Sequence, residues 1–223
     1  MDGKSESRMK LLHAILIPLL RSYAQRLMLR GKSQRALAVF IRINRWQPKR
    51  ENLFNLGLCH FNLRHYAEAI RHLQPVYELL PTHLFAGVSY AQCLLLDRRW
   101  DEALAIYQAL AEQHPDNMLL SKMTRLCQDP VVRDKYATSL DYQYQASQLQ
   151  QQKQLQPALE LLRIAADLTP GDAVVHNNLG ALLLSLKFPV EEAIREFGKA
   201  VELDPANDRY KRNYRKAWQK KRV

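Results

Sequence analysis

Residues 177–205, NNLGALLLSLKFPVEEAIREFGKAVELDP, hold the arrangement of small, bulky and helix-ending residues that decides the fold. Gly180 lies in the first half of this stretch, Ala193 and Phe197 lie four residues apart in the second half, and Pro205 closes it. The same order recurs along the chain. Five prolines follow one another at intervals of 33, 34, 55 and 35 residues: Pro48, Pro81, Pro115, Pro170 and Pro205. Such a period indicates repeats of one structural unit.

Three classes of residue keep their distance from these prolines. An alanine lies twelve residues before each one: Ala36, Ala69, Ala103, Ala158 and Ala193. A bulky side chain lies eight residues before each one: Phe40, Leu73, Tyr107, Leu162 and Phe197. A glycine or alanine lies near 24 residues before each one: Ala24, Gly57, Ala91, Ala146 and Gly180. Small residues on two helices let the backbones approach closely, and proline ends the second helix. The pattern therefore predicts successive helical hairpins that bury their apolar faces against one another.

The composition agrees with an all-α fold. The 223 residues include only 7 glycines, while Leu, Ala, Gln, Arg and Glu are abundant, and this balance favours helix over sheet. No run of 18 apolar residues occurs, so the sequence predicts no helix that spans a membrane.

Residues 52–81, NLFNLGLCHFNLRHYAEAIRHLQPVYELLP, show the same arrangement as residues 177–205. Both stretches resemble the tetratricopeptide repeat (TPR), a helix-turn-helix unit of about 34 residues. The resemblance covers roughly residues 17–206. It implies an all-α, right-handed superhelix of about five units in which the first helix of each unit lines a concave groove. It also implies a protein-binding function, since members of this family bind many unrelated proteins.

The period slips once. The interval from Pro115 to Pro170 is 55 residues, 21 more than the interval before it, and this slip predicts a kink between two blocks of repeats. We therefore expect five parts: an N-terminal amphipathic extension (1–16), repeats one to three (17–115), an irregular or truncated unit (116–138), repeats four and five (139–206) and a basic capping helix (207–223).

The cysteines follow the repeat as well. Cys59, Cys93 and Cys127 are 34 residues apart, which predicts packing positions. Equivalent residues on packed helices lie about 8–10 Å apart, whereas a disulfide needs Cα atoms within about 7 Å and a zinc site needs four converging ligands. No Gly-rich phosphate loop, nucleophile elbow or pair of carboxylates on rigid strands occurs. We therefore expect buried thiols in a cytoplasmic protein, at most peripheral to a membrane, with no metal, no cofactor and no enzymatic activity.

The resemblance also implies a partner-binding groove, because repeat positions 2, 5, 9 and 12 tend to face it in the family. In this chain the groove residues would be Phe54, Leu58, Phe61, Phe85, Val88, Gln92, Leu95 and Asn177. Position 6 adds Asn55 and Asn178, whose amides resemble those that hold an extended peptide backbone in some family members. The alternative is that these asparagines only bridge adjacent helices.

The first functional hypothesis is an adaptor or chaperone that binds an apolar or extended segment of a partner protein. Its anchors would be Phe54, Phe61, Phe85 and Leu95, because an open aromatic patch marks an interaction site. Residues 56–70 (LGLCHFNLRHYAEAI) and 89–107 (SYAQCLLLDRRWDEALAIY) are similar to bacterial type III secretion chaperones of this fold. Another family mode, the clamp for chaperone C-terminal carboxylates, needs Lys and Asn at the positions of Phe54 and Leu58 and does not fit.

The charge is uneven, which supplies the second hypothesis. Residues 1–50 carry +10, residues 51–206 carry −6 and residues 207–223 carry +7. The chain would then be a structural scaffold that docks through its basic ends on acidic protein, a membrane surface or RNA. The C-terminal docking surface would consist of Arg209, Lys211, Arg212, Arg215, Lys216, Lys220, Lys221 and Arg222. Nucleic acid is the less favoured partner, because no recognition motif accompanies these cations.

Alternatives stay open at both ends. Tyr210, Tyr214 and Trp218 are four residues apart and share one helix face, which either only caps the last repeat or also presents cations to a partner. Residues 8–30 predict a long amphipathic helix. Its apolar part has three candidate positions: in the groove, against a second copy of the chain in a homodimer, or on a lipid surface.

Overall fold

The computed structural model describes the backbone of residues 3–221 and the side chains of residues 11–221, and this range contains twelve α-helices and no strand. The helices are α1 (Gly3–Leu29), α2 (Ser33–Trp46), α3 (Arg50–Asn62), α4 (Tyr66–Leu79), α5 (Leu84–Leu96), α6 (Trp100–Gln113), α7 (Met118–Gln128), α8 (Pro130–Gln151), α9 (Leu155–Leu168), α10 (Ala173–Ser185), α11 (Val190–Leu203) and α12 (Asp208–Lys221). The all-α prediction is confirmed. Over the described range, none of the helices has both the length and the hydropathy that crossing a bilayer requires.

The helices form two compact groups. We call them the N-terminal block, which extends to Gln128, and the C-terminal block, which begins at Asp129. In the N-terminal block three hairpins follow one another, α1–α2, α3–α4 and α5–α6, and α7 packs on α6. In the C-terminal block the hairpins are α8–α9 and α10–α11, and α12 packs on α11. Successive helical hairpins, as predicted, are therefore present in each block.

The small residues of the repeat lie where two helices approach most closely. All five alanines of the second helices are fully buried, each with 0% exposure: Ala36, Ala69, Ala103, Ala158 and Ala193. A Cβ atom placed on Gly57 would lie 2.6 Å from Cγ of Leu73, and one placed on Gly180 would lie 3.0 Å from Cδ1 of Phe197. The bulky residue of the second helix thus occupies the space that the glycine of the first helix leaves open.

The helix ends follow from proline and from backbone conformation. Each proline of the repeat lies two residues beyond the end of a helix, because its ring cannot continue the helical hydrogen bonding. The tight turns within the hairpins use residues with φ between 60° and 71°: Gly31, Arg64, Arg98, Lys153 and Lys187. Only the first of these is a glycine, so the other four hold a side chain in a conformation that costs about 1–2 kcal/mol.

The residues between Pro115 and Pro170 are largely helical. Helix α7 ends the N-terminal block, and α8 begins the C-terminal block with Pro130 at its first position. Asp129 caps α8, since its Oδ1 accepts hydrogen bonds from the backbone amides of Val131 (2.9 Å) and Val132 (3.1 Å). The segment 116–138 thus divides between α7 and the first turns of α8.

Candidate functional site

Two aromatic rings from neighbouring helices of the N-terminal block form the centre of the candidate site. Phe54 on α3 and Phe85 on α5 have ring centroids 5.5 Å apart and meet edge to face, with an interplanar angle of 66°. Such an arrangement is favourable for aromatic pairs. Phe85 is nevertheless 59% exposed, and Phe54 is half-buried. The pair therefore presents an open apolar surface on α3 and α5.

Four more residues of the predicted groove are partly accessible. Leu58 on α3, and Val88 and Gln92 on α5, are half-buried. Phe61 is also half-buried, and its ring lies 6.2 Å from that of Tyr66 at the start of α4. Phe61 therefore contacts the second helix of its own hairpin.

Leu95 requires a correction, because it is not a surface anchor. Its side chain has 0% exposure and is among the largest fully buried side chains of the described residues. Helix α5 packs on α3, α4 and α6, so neighbours cover most of its circumference. Cys93, Leu94 and Leu95 are consecutive, and all three are buried. A ligand cannot reach Leu95 without opening the core.

Asn55 is also corrected as a clamp for a partner's backbone. It is only 8% exposed, and its Nδ2 donates to the carbonyl oxygen of Glu51 at 2.9 Å within α3. Asparagine amides often make such local bonds to their own helix. Burial of the side chain and this bond, which uses one of the two N–H donors of the amide, leave little of Asn55 open to a partner.

Asn177, in the C-terminal block, bridges two helices instead of facing a groove. It is 2% exposed, and its Oδ1 accepts a hydrogen bond of 2.8 Å from Nδ2 of Asn213 on α12. Its own Nδ2 donates to Oδ1 of Asn178 at 3.4 Å. Asn177 is therefore corrected as a groove residue, whereas Asn178 is half-buried and stays a candidate contact.

Two exposed apolar residues at the start of α7 were not among the residues predicted from the sequence. Met118 is 85% exposed and Leu119 is 52% exposed. Leu119 lies 34 residues after Phe85 and so occupies the same repeat position. The signal for Leu119 in the sequence is the 34-residue period, which continues past Pro115 into the truncated unit.

The predicted basic surface lies on α12. Arg209, Arg212, Arg215, Lys216 and Lys220 are exposed. Lys211 lies 3.9 Å from Asp208 on the same helix, and Nζ of Lys221 forms an ion pair of 3.3 Å with Glu191 of α11. Lys221 thus helps to hold α12 on α11. Arg222 lies outside the described residues.

Burial governs the chemistry of the cysteines. Cys59, Cys93 and Cys127 have 0% exposure. Burial raises the pKa of both Cys59 and Cys93 to about 12, which keeps these thiols protonated and unreactive. In the part of the chain that the structure describes, no group of three or more His, Cys, Asp or Glu side chains could hold a metal ion.

A buried ion pair in the C-terminal block was also missed. Nδ1 of His176 on α10 lies 2.6 Å from Oε2 of Glu196 on α11, and its Nε2 lies 3.0 Å from the carbonyl oxygen of Pro170. Carboxylate and carbonyl oxygens accept hydrogen bonds, so this arrangement favours the protonated form of His176, in which both ring nitrogens donate. The pKa of His176 is raised, chiefly by the hydrogen bond to Glu196. The pair borders a pocket of about 530 Å³ and ties the turn at Pro170 to α11.

Part of the chain matches a known protein family. Residues 46–110 match the family model described as "Anaphase-promoting complex, cyclosome, subunit 3" (ANAPC3). This match covers α3, α4, α5 and most of α6 and therefore includes the Phe54–Phe85 pair. Nothing among the curated protein sequences matches the chain.

Several solved structures are similar to the chain. TTC0263, a thermophilic TPR protein of Thermus thermophilus, has a TM-score of 0.48 and 17% identity, with 91% of this chain and 99% of that chain covered. MamA 41-end from Desulfovibrio magneticus RS-1 has a TM-score of 0.44 and 24% identity, with 86% and 97% covered. The TPR2AB domain of yeast Sti1, solved as a complex with pHSP90, has a TM-score of 0.45 and 15% identity, with 92% and 83% covered. The recurring helical hairpins make the chain an α-helical repeat protein, and its residues 46–110 match the family model named above.

Proposed function

We propose that the chain is a non-enzymatic protein-interaction module, an adaptor or chaperone, that binds an apolar, extended segment of a partner protein. The binding surface is the face of α3 and α5 around Phe54 and Phe85. The observation that carries this proposal is the edge-to-face pair at 5.5 Å, in which Phe85 keeps 59% of its surface exposed.

The energetics favour a ligand that covers this pair. Burying a large apolar side chain yields about 1.5–3 kcal/mol. The two rings are already held against each other, so little side-chain freedom is lost on binding. Leu58 and Val88 extend the apolar surface, and the amide of Gln92 offers a hydrogen bond to a peptide backbone. Three buried thiols agree with a reducing compartment such as the cytoplasm, where we place the chain.

The experiment is an affinity pull-down with mass spectrometry that compares the wild type with a Phe54→Asp/Phe85→Asp variant. A charge on each ring position should abolish capture of the specific partner. The control is Ile164→Asp, since Ile164 on α9 is also exposed, at 44%, but lies in the other block. Far-UV circular dichroism checks that all three proteins are equally helical. Capture of the same partner by the double variant would show that the ligand binds elsewhere.

A second candidate is a scaffold that docks through α12 on an acidic partner, such as an acidic protein surface or RNA. It is favoured by the exposed cations of this helix, in particular Arg212, Arg215 and Lys216. Binding driven by these charges should weaken steeply with salt, whereas capture by an aromatic surface should change little. Reversing the three charges to Glu leaves the buried face of α12 intact. Undiminished capture by that variant would count against the second candidate.

A further inference from the structure

Helix α1 carries an apolar stripe on a face turned away from its core contacts. The stripe consists of Leu11 (66% exposed), Leu12 (52%), Ile15 (59%), Leu19 (63%) and Tyr23 (51%). On the other side of the same helix Ile17, Ala24 and Leu27 are buried in the core cluster that α1 shares with α2. At 100° per residue the centres of the two sets lie about 140° apart around the helix axis. The helix is therefore apolar on two separate faces, and within the described residues only one of them is covered.

The corresponding face of α3 shows what such a surface normally does in this fold. Tyr23 corresponds to Leu56, 33 residues later, and Leu56 is 3% exposed. Leu56 belongs to the core cluster that α3 shares with α1 and α2. In α3 this face is thus covered by the hairpin in front of it. In α1 the same face is open, and its apolar surface needs another cover.

The charges around the stripe are of one sign. Residues 7–50 contain 11 Lys and Arg residues and no Asp or Glu. Arg26 and Arg30 follow Tyr23 along the line of the stripe, and both are exposed. Along this line the described part of the helix therefore runs from apolar residues to cations.

We propose that α1 binds the surface of a membrane that contains anionic lipids. The helix lies parallel to the membrane, with the stripe in the headgroup region and the cations near the lipid phosphates. From Leu11 to Tyr23 the stripe is about 18 Å long at 1.5 Å per residue. Apolar contact and attraction to anionic lipid together give the binding of such interfacial helices. Tyr23, at the boundary between the apolar and the cationic part, suits the interface as well.

The charge pattern decides against two other occupants. A second copy would bring the same cations, Arg26 and Arg30, to the contact, and residues 11–30 contain no carboxylate that could pair with them. Nucleic acid would satisfy the cations but would leave the leucines and the isoleucine exposed to water. A surface of uniform negative charge over an apolar layer matches both parts of the pattern.

The test is flotation of the full chain with vesicles of phosphatidylcholine, with and without phosphatidylserine. We expect the wild type to float with the phosphatidylserine vesicles only and to be released by added salt. Ile15→Ser/Leu19→Ser keeps the charge and removes two apolar contacts, so its apparent Kd should rise about tenfold or more. Arg26→Gln/Arg30→Gln should weaken binding at low salt in the same way.

The matched control is Ile164→Ser on α9, which removes an equally apolar, 44% exposed side chain from the other block and should float like the wild type. Circular dichroism confirms that each variant is folded. The proposal is overturned if the wild type does not float, or if Ile15→Ser/Leu19→Ser floats as well as the wild type. Light scattering that shows a dimer lost in that variant, without flotation of the wild type, would also overturn it and assign the stripe to a second copy. The variants leave Phe54 and Phe85 unchanged, so the result does not depend on the function proposed above.

Discussion

At the scale of single residues, close packing around small side chains decides what the chain tolerates. Gly57 of α3 faces Leu73 of α4, and an added Cβ would lie 2.6 Å from Cγ of Leu73. Side chains in such a contact can yield only by leaving their preferred rotamers or by moving the helices apart. The repeat position therefore needs a small residue for a steric reason.

We predict that Gly57→Ala destabilises the protein by about 1–3 kcal/mol, in spite of the better helix propensity of alanine. Urea unfolding followed by circular dichroism measures this change. Gly171→Ala is the control, because a Cβ there has nothing within 4 Å. In the Gly57→Ala/Leu73→Ala double variant the new methyl group should fit into the space of the lost side chain. The double variant should therefore lose less unfolding free energy than the sum of the losses in the two single variants. A loss equal to that sum would contradict the steric explanation.

The sequence identified the small and bulky residues of the repeat correctly, because their spacing from proline is a local property. It misplaced Leu95 and Asn55 for a reason that no local pattern contains. Whether a residue of α5 is open depends on how far α3, α4 and α6 close around that helix. The side-chain bond from Asn55 to Glu51 likewise competes with any bond to a ligand. Family positions predict which direction a residue faces, but the neighbours decide how much of it remains exposed.

At the scale of helices, prolines predicted where second helices end, since their effect on the backbone is independent of tertiary contacts. The helices within the longer interval from Pro115 to Pro170 were harder to predict. Pro130 occupies the first turn of α8, where proline is well tolerated. The same residue type thus follows one helix and begins another, and Asp129 caps the second.

Helix α12 gives a prediction at this scale, because its aromatic residues differ in burial. Tyr210 is 7% exposed, whereas Trp218 is 39% exposed and meets Tyr214 edge to face. We expect Tyr210→Ala to destabilise the C-terminal block by about 3 kcal/mol or more, in the range found for large buried aromatic residues. Trp218→Ala should lower the free energy of unfolding by clearly less, because Trp218 is more exposed. Thermal unfolding of both variants measures the difference, and equal losses would mean that α12 does not cap the block through Tyr210.

At the scale of the whole molecule, histidines in the two blocks have pKa values shifted in opposite directions. In the N-terminal block His60 and His72 stack with ring centroids 5.3 Å apart. The pKa of each is lowered, chiefly by burial, so the folded block favours neutral rings. In the C-terminal block the pKa of His176 is raised, chiefly by its hydrogen bond to Glu196.

We therefore predict opposite pH profiles for the stability of the two blocks. The N-terminal block should lose stability as the pH falls below about 6.5, the unperturbed histidine pKa, because its unfolded state then takes up protons that the folded state excludes. The contribution of His176 should be complete below about pH 6.5 and be lost as the pH rises through its folded-state pKa. Hydrogen exchange with mass spectrometry follows both blocks in one sample. His60→Gln/His72→Gln should flatten the first profile and His176→Gln the second; profiles unchanged by these substitutions would contradict the assignment.

The three cysteines have a practical consequence. One sulfhydryl occupies the same place in each of three successive first helices, 34 residues apart, and none of them meets solvent while its helix is closed. An alkylating reagent can modify each sulfur only during a transient opening of its surroundings. Peptide mapping after increasing exposure times therefore yields three separate opening rates from the native chain, without an introduced label. The three cysteines lie on α3, α5 and α7 of the N-terminal block. Comparing their modification rates would therefore show which of these helices opens first when the block unfolds.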